Sequence, residues 1–193
     1  MELELVFKEE KKDVISEWDK TVPILSRGKT VIAYLNDEIY EDIGTYNELC
    51  FTLENTTADH VKIVLNNGGG AMNTMLTIVN SIRKCKATVT AVISGNVSSA
   101  ATMITLACDE IEVAPNTSWL THYYSGGSAG KGNELEAKYE FDKVYIPKMF
   151  KDIHKGFLTT QEINKVIQGK DMWMETDEIL ARFAKMKELR WKE

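Results

Sequence analysis

The sequence contains few of the residues that build disulfide-linked, metal-binding or membrane-spanning proteins. Three cysteines, Cys50, Cys85 and Cys108, are scattered along 193 residues without a CxxC pair, which excludes a disulfide framework and a zinc-binding pattern. No apolar run approaches the roughly 20 residues that a transmembrane helix requires. Basic residues are in the minority, since 23 Lys and Arg stand against 29 Asp and Glu. We therefore expect no metal site, no other cofactor, and no binding to nucleic acid or membranes.

Targeting signals are lacking as well. The opening "MELELVFKEEKKD" carries too many carboxylates for a signal or transit peptide, so we expect a cytoplasmic protein. Hydrophobic residues make up 44% of the chain, which is enough for one sizeable core. We predict a single domain over residues 1–193.

Short apolar runs rich in Val and Ile alternate with helical patterns. The runs at 30–35, 61–65, 88–94 and 110–114 are typical of strands buried on both faces. Between them, apolar residues at helical spacing predict helices around 43–53, 72–82 and 103–108. This repeated order predicts an α/β protein with a mainly parallel sheet covered by helices.

The last third of the chain has a different pattern. A long polar and apolar stretch at 133–157 predicts an arm that projects from the core, and Pro147 is expected to kink or divide its helix. Thr159 and Glu162 form a capping-box pair for the next helix, which Gly169 ends, and a final helix is expected at about 177–189. The arm's apolar residues are expected to lie exposed as a subunit interface: Leu135, Tyr139, Val144, Tyr145, Met149, Phe150 and Ile153.

Functional residues of a parallel α/β sheet gather where strands end and helices begin. At the first such junction, the run 61–65 leads into Asn66, Asn67 and then Gly68, Gly69 and Gly70. Successive glycines allow backbone N–H groups to turn toward a ligand, as an oxyanion site requires. A tight turn between strand and helix explains the same residues.

The second junction is "GNVSSAATM", which follows the run 88–94. A serine here has its hydroxyl near the N-terminal amides of a helix, whose partial positive charge stabilises a developing anion. Serine is also a preferred N-cap residue, so Ser98 and Ser99 are explained equally by helix capping.

A serine nucleophile needs a base, and the sequence offers three histidines. His60 lies in the polar turn before a strand, and His154 lies in the predicted arm. His122 follows the run 110–114 near a third junction and is the best placed of the three. A structural role for His122 remains the alternative.

The order and spacing of these features resemble ClpP, the proteolytic subunit of the Clp protease, from about Arg27 to Lys185. Glycines follow a strand, a serine follows at the next strand-helix junction, a histidine comes after it, and Asp171 precedes an aromatic residue and a short helix. The resemblance implies a serine endopeptidase that cleaves unfolded polypeptides or short peptides inside an oligomeric chamber. It implies a catalytic triad of Ser99, His122 and Asp171, with Ser98 as a small neighbour and the backbone N–H groups of Gly70 and Ala100 as oxyanion donors.

The resemblance also implies an architecture, the ClpP/crotonase-like βαβ head domain with a projecting handle helix. The head would take up about 27–125 and 158–193, and the handle about 126–157. Handles would join two stacked heptameric rings of identical subunits. A Clp-type ATPase is a candidate partner, although the first 25 residues do not match the segment that forms axial loops in the family.

The chain departs from the family pattern at three places. Asn67-Gly68 stands where the family has Ser-Pro and is expected to make the loop more flexible, Tyr123-Tyr124 replaces Gln-Pro and is expected to alter the substrate groove, and Ala100 replaces Met. Three other functions remain open: a crotonase-like acyl-CoA enzyme, a Ser-Lys peptidase, and an inactive ClpP-like ring subunit.

Overall fold

The computed structural model describes residues 21–127 and 129–190. Within these ranges the chain forms one seven-stranded sheet, six α-helices and a 3₁₀ turn at Ile43–Tyr46. The strands are β1 (Ile24–Arg27), β2 (Thr30–Leu35), β3 (His60–Asn67), β4 (Thr88–Ser98), β5 (Glu110–Val113), β6 (Ser118–Thr121) and β7 (Met172–Glu175). The helices are α1 (Asn47–Asn55), α2 (Met72–Lys84), α3 (Ala100–Ala107), α4 (Gly132–His154), α5 (Thr160–Ile167) and α6 (Thr176–Arg190).

The sheet is mainly parallel, as the sequence predicts. Its order is β1-β2-β3-β4-β6-β7; β2, β3 and β4 run parallel, while β1 and β7 pair antiparallel at the two ends. Strand β4 is long enough to pair with β5 along residues 90–93 and with β6 along residues 96–98. The carboxyl ends of β3, β4 and β6 therefore lie side by side, and each leads into one of the three predicted junctions.

Buried and more exposed residues alternate along β2 and β3, so the core lies mainly on one face of the sheet. The expectation of burial on both faces is wrong for these two strands, because on the opposite face Tyr34 is exposed and Lys62 forms an exposed ion pair with Glu112. Val61, Ile63 and Leu65 of β3 are fully buried, and so are the apolar residues of β4 that face them. Helix α3 is buried along its length, because small residues such as Ala101 let it lie close to the strands. Helices α1, α2, α3 and α4 pack in sequence, each against the next.

Helix α4 runs unbroken for 23 residues, and Pro147 lies inside it, so the expectation of a divided helix is wrong. Proline removes one intrahelical hydrogen bond. The neighbouring side chains Ile146, Met149 and Phe150 are buried against the head and offset that loss by packing.

The apolar residues of α4 fall into two sets. Tyr139, Val144 and Tyr145 are exposed, as expected, and Leu135 is half-buried. The expectation of exposure is wrong for three residues, which are buried in the core of their own chain: Met149, Phe150 and Ile153. Phe141, which the expectation omitted, is exposed and stacks on Tyr145 with ring centroids 5.1 Å apart.

The predicted capping box begins α5. The Glu162 N–H donates to Thr159 Oγ1 at 3.2 Å, and the Thr159 N–H donates to Glu162 Oε2 at 2.8 Å. Glu162 also pairs with Arg182 of α6 at 2.8 Å, and the hydrogen bonds from that guanidinium lower the pKa of the Glu162 carboxyl to about 2. Gly169, with φ +95°, follows the end of α5, and the chain then enters β7. Asp171 lies between Gly169 and β7.

Candidate active site

The loop after β3 presents a backbone N–H group to a cavity. The Ile39 N–H donates to the Gly69 carbonyl at 2.9 Å, and the Ala71 N–H donates to the Ile39 carbonyl at 2.7 Å. Because the neighbours of Gly70 on both sides bond to Ile39, the N–H of Gly70 points the other way, and Gly70 lines the cavity. A Cβ at Gly70 would lie 2.2 Å from the Ile39 oxygen, so only glycine fits this close approach.

Asn67 is hydrogen-bonded within this loop. Its side chain is 2% exposed, and its Oδ1 accepts the Gly69 N–H at 2.7 Å. Gly68 is exposed and has no neighbour where a Cβ would stand.

Ser99 stands at the sharp turn between β4 and α3. Its φ of 55° and ψ of −126° lie in a region that L-residues avoid, at a typical cost of about 1–3 kcal/mol. Its N–H donates to the Leu120 carbonyl of β6 at 2.9 Å, which holds the turn against the sheet. Ser99 occupies the N-cap position of α3, but its hydroxyl makes no capping hydrogen bond, and it lines the cavity. The capping interpretation therefore does not explain this serine.

Ser98 has a different environment. It is 7% exposed, and its hydroxyl donates to Asn96 Oδ1 at 2.9 Å. It is absent from the residues that line the cavity, so the two adjacent serines differ in access to a substrate. Ala100, the first residue of α3, also lines the cavity; its N–H belongs to the first turn, where backbone donors have no intrahelical acceptor.

His122 follows β6 and lines the same cavity as Ser99. The β6–β7 ladder ends at the pair Thr121 and Met172, and continuing this antiparallel register by one residue places Asp171 opposite His122. Asp171 is exposed and lies outside the cavity lining. Among the hydrogen bonds of the described residues, none joins any two of the Ser99, His122 and Asp171 side chains. The structure thus brings Ser99 and His122 to one cavity and Asp171 to the strand beside His122.

The cavity has a volume of about 1280 Å³ and lies between the strand ends and α4. Its apolar lining comes from three helices and includes Met75, Met103, Ile146, Met149 and Phe150. The segment Glu38–Glu41, which sequence reasoning missed, forms another wall; its loop composition carries no signal for this role. Lys138 also lines the cavity, and its ammonium group forms an ion pair with the Asp142 carboxylate at 2.5 Å.

The two tyrosines after His122 differ in their contacts. Tyr123 packs edge-on against Phe150 of α4 with ring centroids 5.9 Å apart, and its partial burial raises the pKa of its hydroxyl. Tyr124 is exposed and lines the cavity beside Ser125 and Gly126. Of the two residues expected to alter the substrate groove, Tyr124 is the one that lines the cavity.

Two further observations concern the described ranges as a whole. Within them, no group of three or more His, Cys, Asp or Glu side chains is arranged to hold a metal ion. None of the helices in residues 21–127 and 129–190 combines the length and the apolar character needed to cross a membrane.

The fold is ClpP-like. It has a mainly parallel sheet, a glycine loop, a strained strand-helix turn, and a cavity against a long helix. The sequence matches the family described as Clp protease over residues 16–182. The chain belongs to the Clp protease family and is a ClpP-like peptidase by that membership. A search of curated proteins found no match.

Proposed function

We propose that the chain is a serine endopeptidase with Ser99 as its nucleophile. The observation that supports this most is the environment of Ser99. Its backbone is strained, its hydroxyl makes no capping hydrogen bond, and it lines the same cavity as His122 and Gly70. Backbone strain of this kind concentrates at functional sites, where the surrounding structure holds a side chain in a reactive position.

The proposed chemistry is peptide-bond hydrolysis through an acyl-enzyme. His122 takes the proton of the Ser99 hydroxyl as its oxygen attacks the scissile carbonyl carbon. The N–H groups of Gly70 and Ala100 stabilise the negative charge on the carbonyl oxygen. His122 then protonates the leaving amine as the C–N bond breaks. In the second step His122 takes a proton from water as the water oxygen attacks the acyl carbon, and it returns that proton to the Ser99 oxygen as the ester bond breaks and the carboxylic acid product leaves.

Asp171 is the proposed partner that orients the His122 ring. Its place opposite His122, one residue beyond the β6–β7 ladder, puts the two backbones at the separation of paired strands. Catalytic hydrogen bonds are often long without substrate and shorten in the complex. Binding of a peptide, or contact between subunits, would then complete the Ser99–His122–Asp171 array.

The lining of the cavity indicates the substrate side chain. Beyond Ser99, the wall is formed by methionine, isoleucine and phenylalanine side chains, which favour an apolar group. Methionine side chains adapt to several shapes, so we propose broad acceptance of apolar residues next to the cleaved bond.

We further propose that residues 1–193 form one protease unit with a head and a handle. The handle would consist of the α4 half that carries the exposed residues Tyr139, Phe141 and Val144. Clp protease family members generally form oligomeric rings that act on polypeptides. Two stacked heptameric rings, a cytoplasmic location and a Clp-type ATPase partner remain proposals for this chain.

Fluorophosphonate labelling tests the proposed nucleophile. We expect one adduct, located on Ser99 by mass spectrometry, and loss of peptide hydrolysis in Ser99→Ala without loss of fold. Ser98→Ala is the matched control and should keep most of the activity, because its hydroxyl faces Asn96. An adduct on Ser98, or an active Ser99→Ala protein, would refute the assignment.

An inactive ring subunit is the second candidate function. The observation that favours it is the lack of a hydrogen bond between Ser99, His122 and Asp171 in the described residues. An inactive subunit would assemble normally but take up no fluorophosphonate. A crotonase-like acyl-CoA enzyme would use the Gly70 and Ala100 donors without Ser99, so thioester turnover by Ser99→Ala would identify it.

A further inference from the structure

We infer that Asn67 is a positioning residue, which sets the distance between the oxyanion loop and the nucleophile. The inference rests on the proposed function of Ser99 and Gly70, and it adds a residue that neither the family match nor the triad assigns. Asn67 is one of the few buried polar side chains of the sheet, at 2% exposure, and it uses both ends of its amide.

The amide nitrogen of Asn67 binds the segment that follows β2. Its Nδ2 donates to the Leu35 carbonyl at 3.1 Å and also to the Asp37 carbonyl. The chain from Asp37 to Ile39 is thereby held beside the glycine loop. Because Ile39 pairs with both Gly69 and Ala71, this segment is the support that directs the Gly70 N–H toward the cavity.

The amide oxygen of Asn67 binds the glycine loop itself. Its Oδ1 accepts a hydrogen bond from the Gly69 N–H at 2.7 Å. This bond closes an Asx turn, in which a side chain binds the backbone N–H two residues later. Gly69 in turn lies against Ser99, since a Cβ on Gly69 would stand 2.7 Å from the Ser99 Cβ.

These bonds form a closed circuit. It runs from the Asn67 amide to Asp37, along the chain to Ile39, across to Gly69, and back to Asn67. The circuit contains no substrate-binding side chain, yet it fixes both the direction of the Gly70 N–H and the contact between Gly69 and Ser99. An oxyanion donor acts only at hydrogen-bond distance from the developing charge, so a small shift of this loop weakens transition-state stabilisation more than substrate binding.

The test compares Asn67→Ala and Asn67→Ser with the parent protein in steady-state hydrolysis of a short fluorogenic peptide. Alanine removes all three bonds, and we expect kcat to fall about tenfold or more while KM changes less than twofold, a smaller loss than complete removal of an oxyanion donor. A serine hydroxyl closes the same kind of turn more weakly. We therefore expect Asn67→Ser to lie between the parent and Asn67→Ala in kcat.

Asn80→Ala is the matched control, because Asn80 is an exposed asparagine of α2 outside the cavity lining, and it should leave kcat and KM unchanged. Folding of each variant is checked by thermal unfolding. A folded Asn67→Ala protein with parental kcat would overturn the inference, as would a KM increase that accounts for the whole loss. If Asn67→Ala does not fold, Asn67→Ser decides: a kcat several-fold below the parent supports the inference, and an equal kcat rejects it.

Deuterium exchange separates this inference from the proposed function. The Gly69 amide should exchange slowly in the parent and at least about tenfold faster in Asn67→Ala, while amides of α2 keep their rates, since exchange reports local opening. A parent without peptidase activity would refute the proposed function alone, and the exchange comparison would still decide the role of Asn67. Equal exchange in parent and variant would refute that role whatever the activity.

Discussion

Ser99, the proposed nucleophile, has a strained backbone conformation. Its φ is 55°, whereas its neighbours in β4 and α3 have ordinary strand and helix geometry. The strain is held in place by the bond from its N–H to Leu120 and by the close contact with Gly69. The strained backbone of Ser99 lowers the stability of the fold and fixes the position of its hydroxyl group.

Replacing Ser99 by glycine should therefore stabilise the fold while abolishing hydrolysis. Glycine adopts positive φ without penalty, whereas Ser99→Ala keeps a Cβ and the strain. We expect Ser99→Gly to unfold at higher denaturant than Ser99→Ala, with a difference of about 1 kcal/mol in the free energy of unfolding. Urea titration of the two inactive variants measures it, and equal midpoints would show that the turn is unstrained.

His154 is a second residue whose environment predicts a measurable property. It is fully buried and stacks on Phe150, and its Nε2 has no hydrogen-bond partner, while Nδ1 lies 2.9 Å from the Phe150 carbonyl. Burial lowers the pKa of this imidazole from its ordinary 6.5 to about 4, so His154 is neutral in the folded protein. Between these two pH values the unfolded chain binds a proton that the folded chain does not, and stability falls as pH falls.

Substituting His154 by phenylalanine should remove that part of the acid sensitivity. We expect parent and His154→Phe to differ little at pH 7, and the variant to be more stable at pH 5 by about 1–2 kcal/mol relative to that difference. Thermal unfolding at both pH values measures the change. A parent and variant that lose stability in parallel from pH 7 to pH 5 would contradict a neutral, buried His154.

At the scale of elements, the two halves of helix α4 differ in burial. The C-terminal half buries Ile146, Phe150 and Ile153 in the head, while residues of both halves line the cavity. The N-terminal half leaves Tyr139, Phe141 and Val144 exposed, between 61% and 71% of their surface. Tyr139 lies toward the cavity, whereas Phe141 and Val144 share another face with Tyr145 at helical spacing. Exposed apolar side chains grouped on one face usually mark an interaction surface.

A charge on the exposed half should separate subunits without unfolding the chain. We expect Tyr145→Glu to break the proposed contact between rings, because Tyr145 is exposed and stacks on the exposed Phe141. We also expect lower peptidase activity, because contact between subunits is proposed to complete the Ser99–His122–Asp171 array. Lys151→Glu, on an exposed position of the same helix, is the control and should leave assembly unchanged. Met149→Lys is unsuited to this test, since Met149 is 9% exposed and a buried lysine would damage the core.

Analytical ultracentrifugation of the Tyr145→Glu and Lys151→Glu proteins measures the outcome. Parental sedimentation of the Tyr145→Glu protein would show that the exposed half of α4 is not the contact. Equal dissociation of both variants would point to a general effect of charge on the helix.

At the scale of the whole molecule, the proposed chamber requires assembly. A single chain has a mass of 21.8 kDa, and its cavity is open on the surface of one subunit. Light scattering should find two stacked rings of seven subunits, and hydrolysis of a short peptide should follow the assembled fraction on dilution. A 21.8 kDa species that stays fully active at micromolar concentration would refute the chamber.

The sequence by itself determined the elements whose signals are local. Val- and Ile-rich runs predicted β2, β3, β4 and β5, and the Thr159–Glu162 pair predicted the start of α5. It also predicted that residues after β3, β4 and β6 lie near one another, because the order of strands and helices restricts where strand ends can meet, and Gly70, Ser99 and His122 line one cavity. The short end strands β1 and β7 were not predicted, since four partly exposed residues give little periodicity.

Only the tertiary structure decided which neighbours those groups have. Ser98 and Ser99 are the same residue type and adjacent in sequence, but only Ser99 lines the cavity. They differ because β4 ends between them and the Ser99 N–H bonds to Leu120 of β6. Asp171 comes opposite His122 through the pairing of β6 with β7, and Met149 is buried because α4 lies against the head. Such contacts join residues far apart in the chain, whereas sequence patterns report the period of one element at a time.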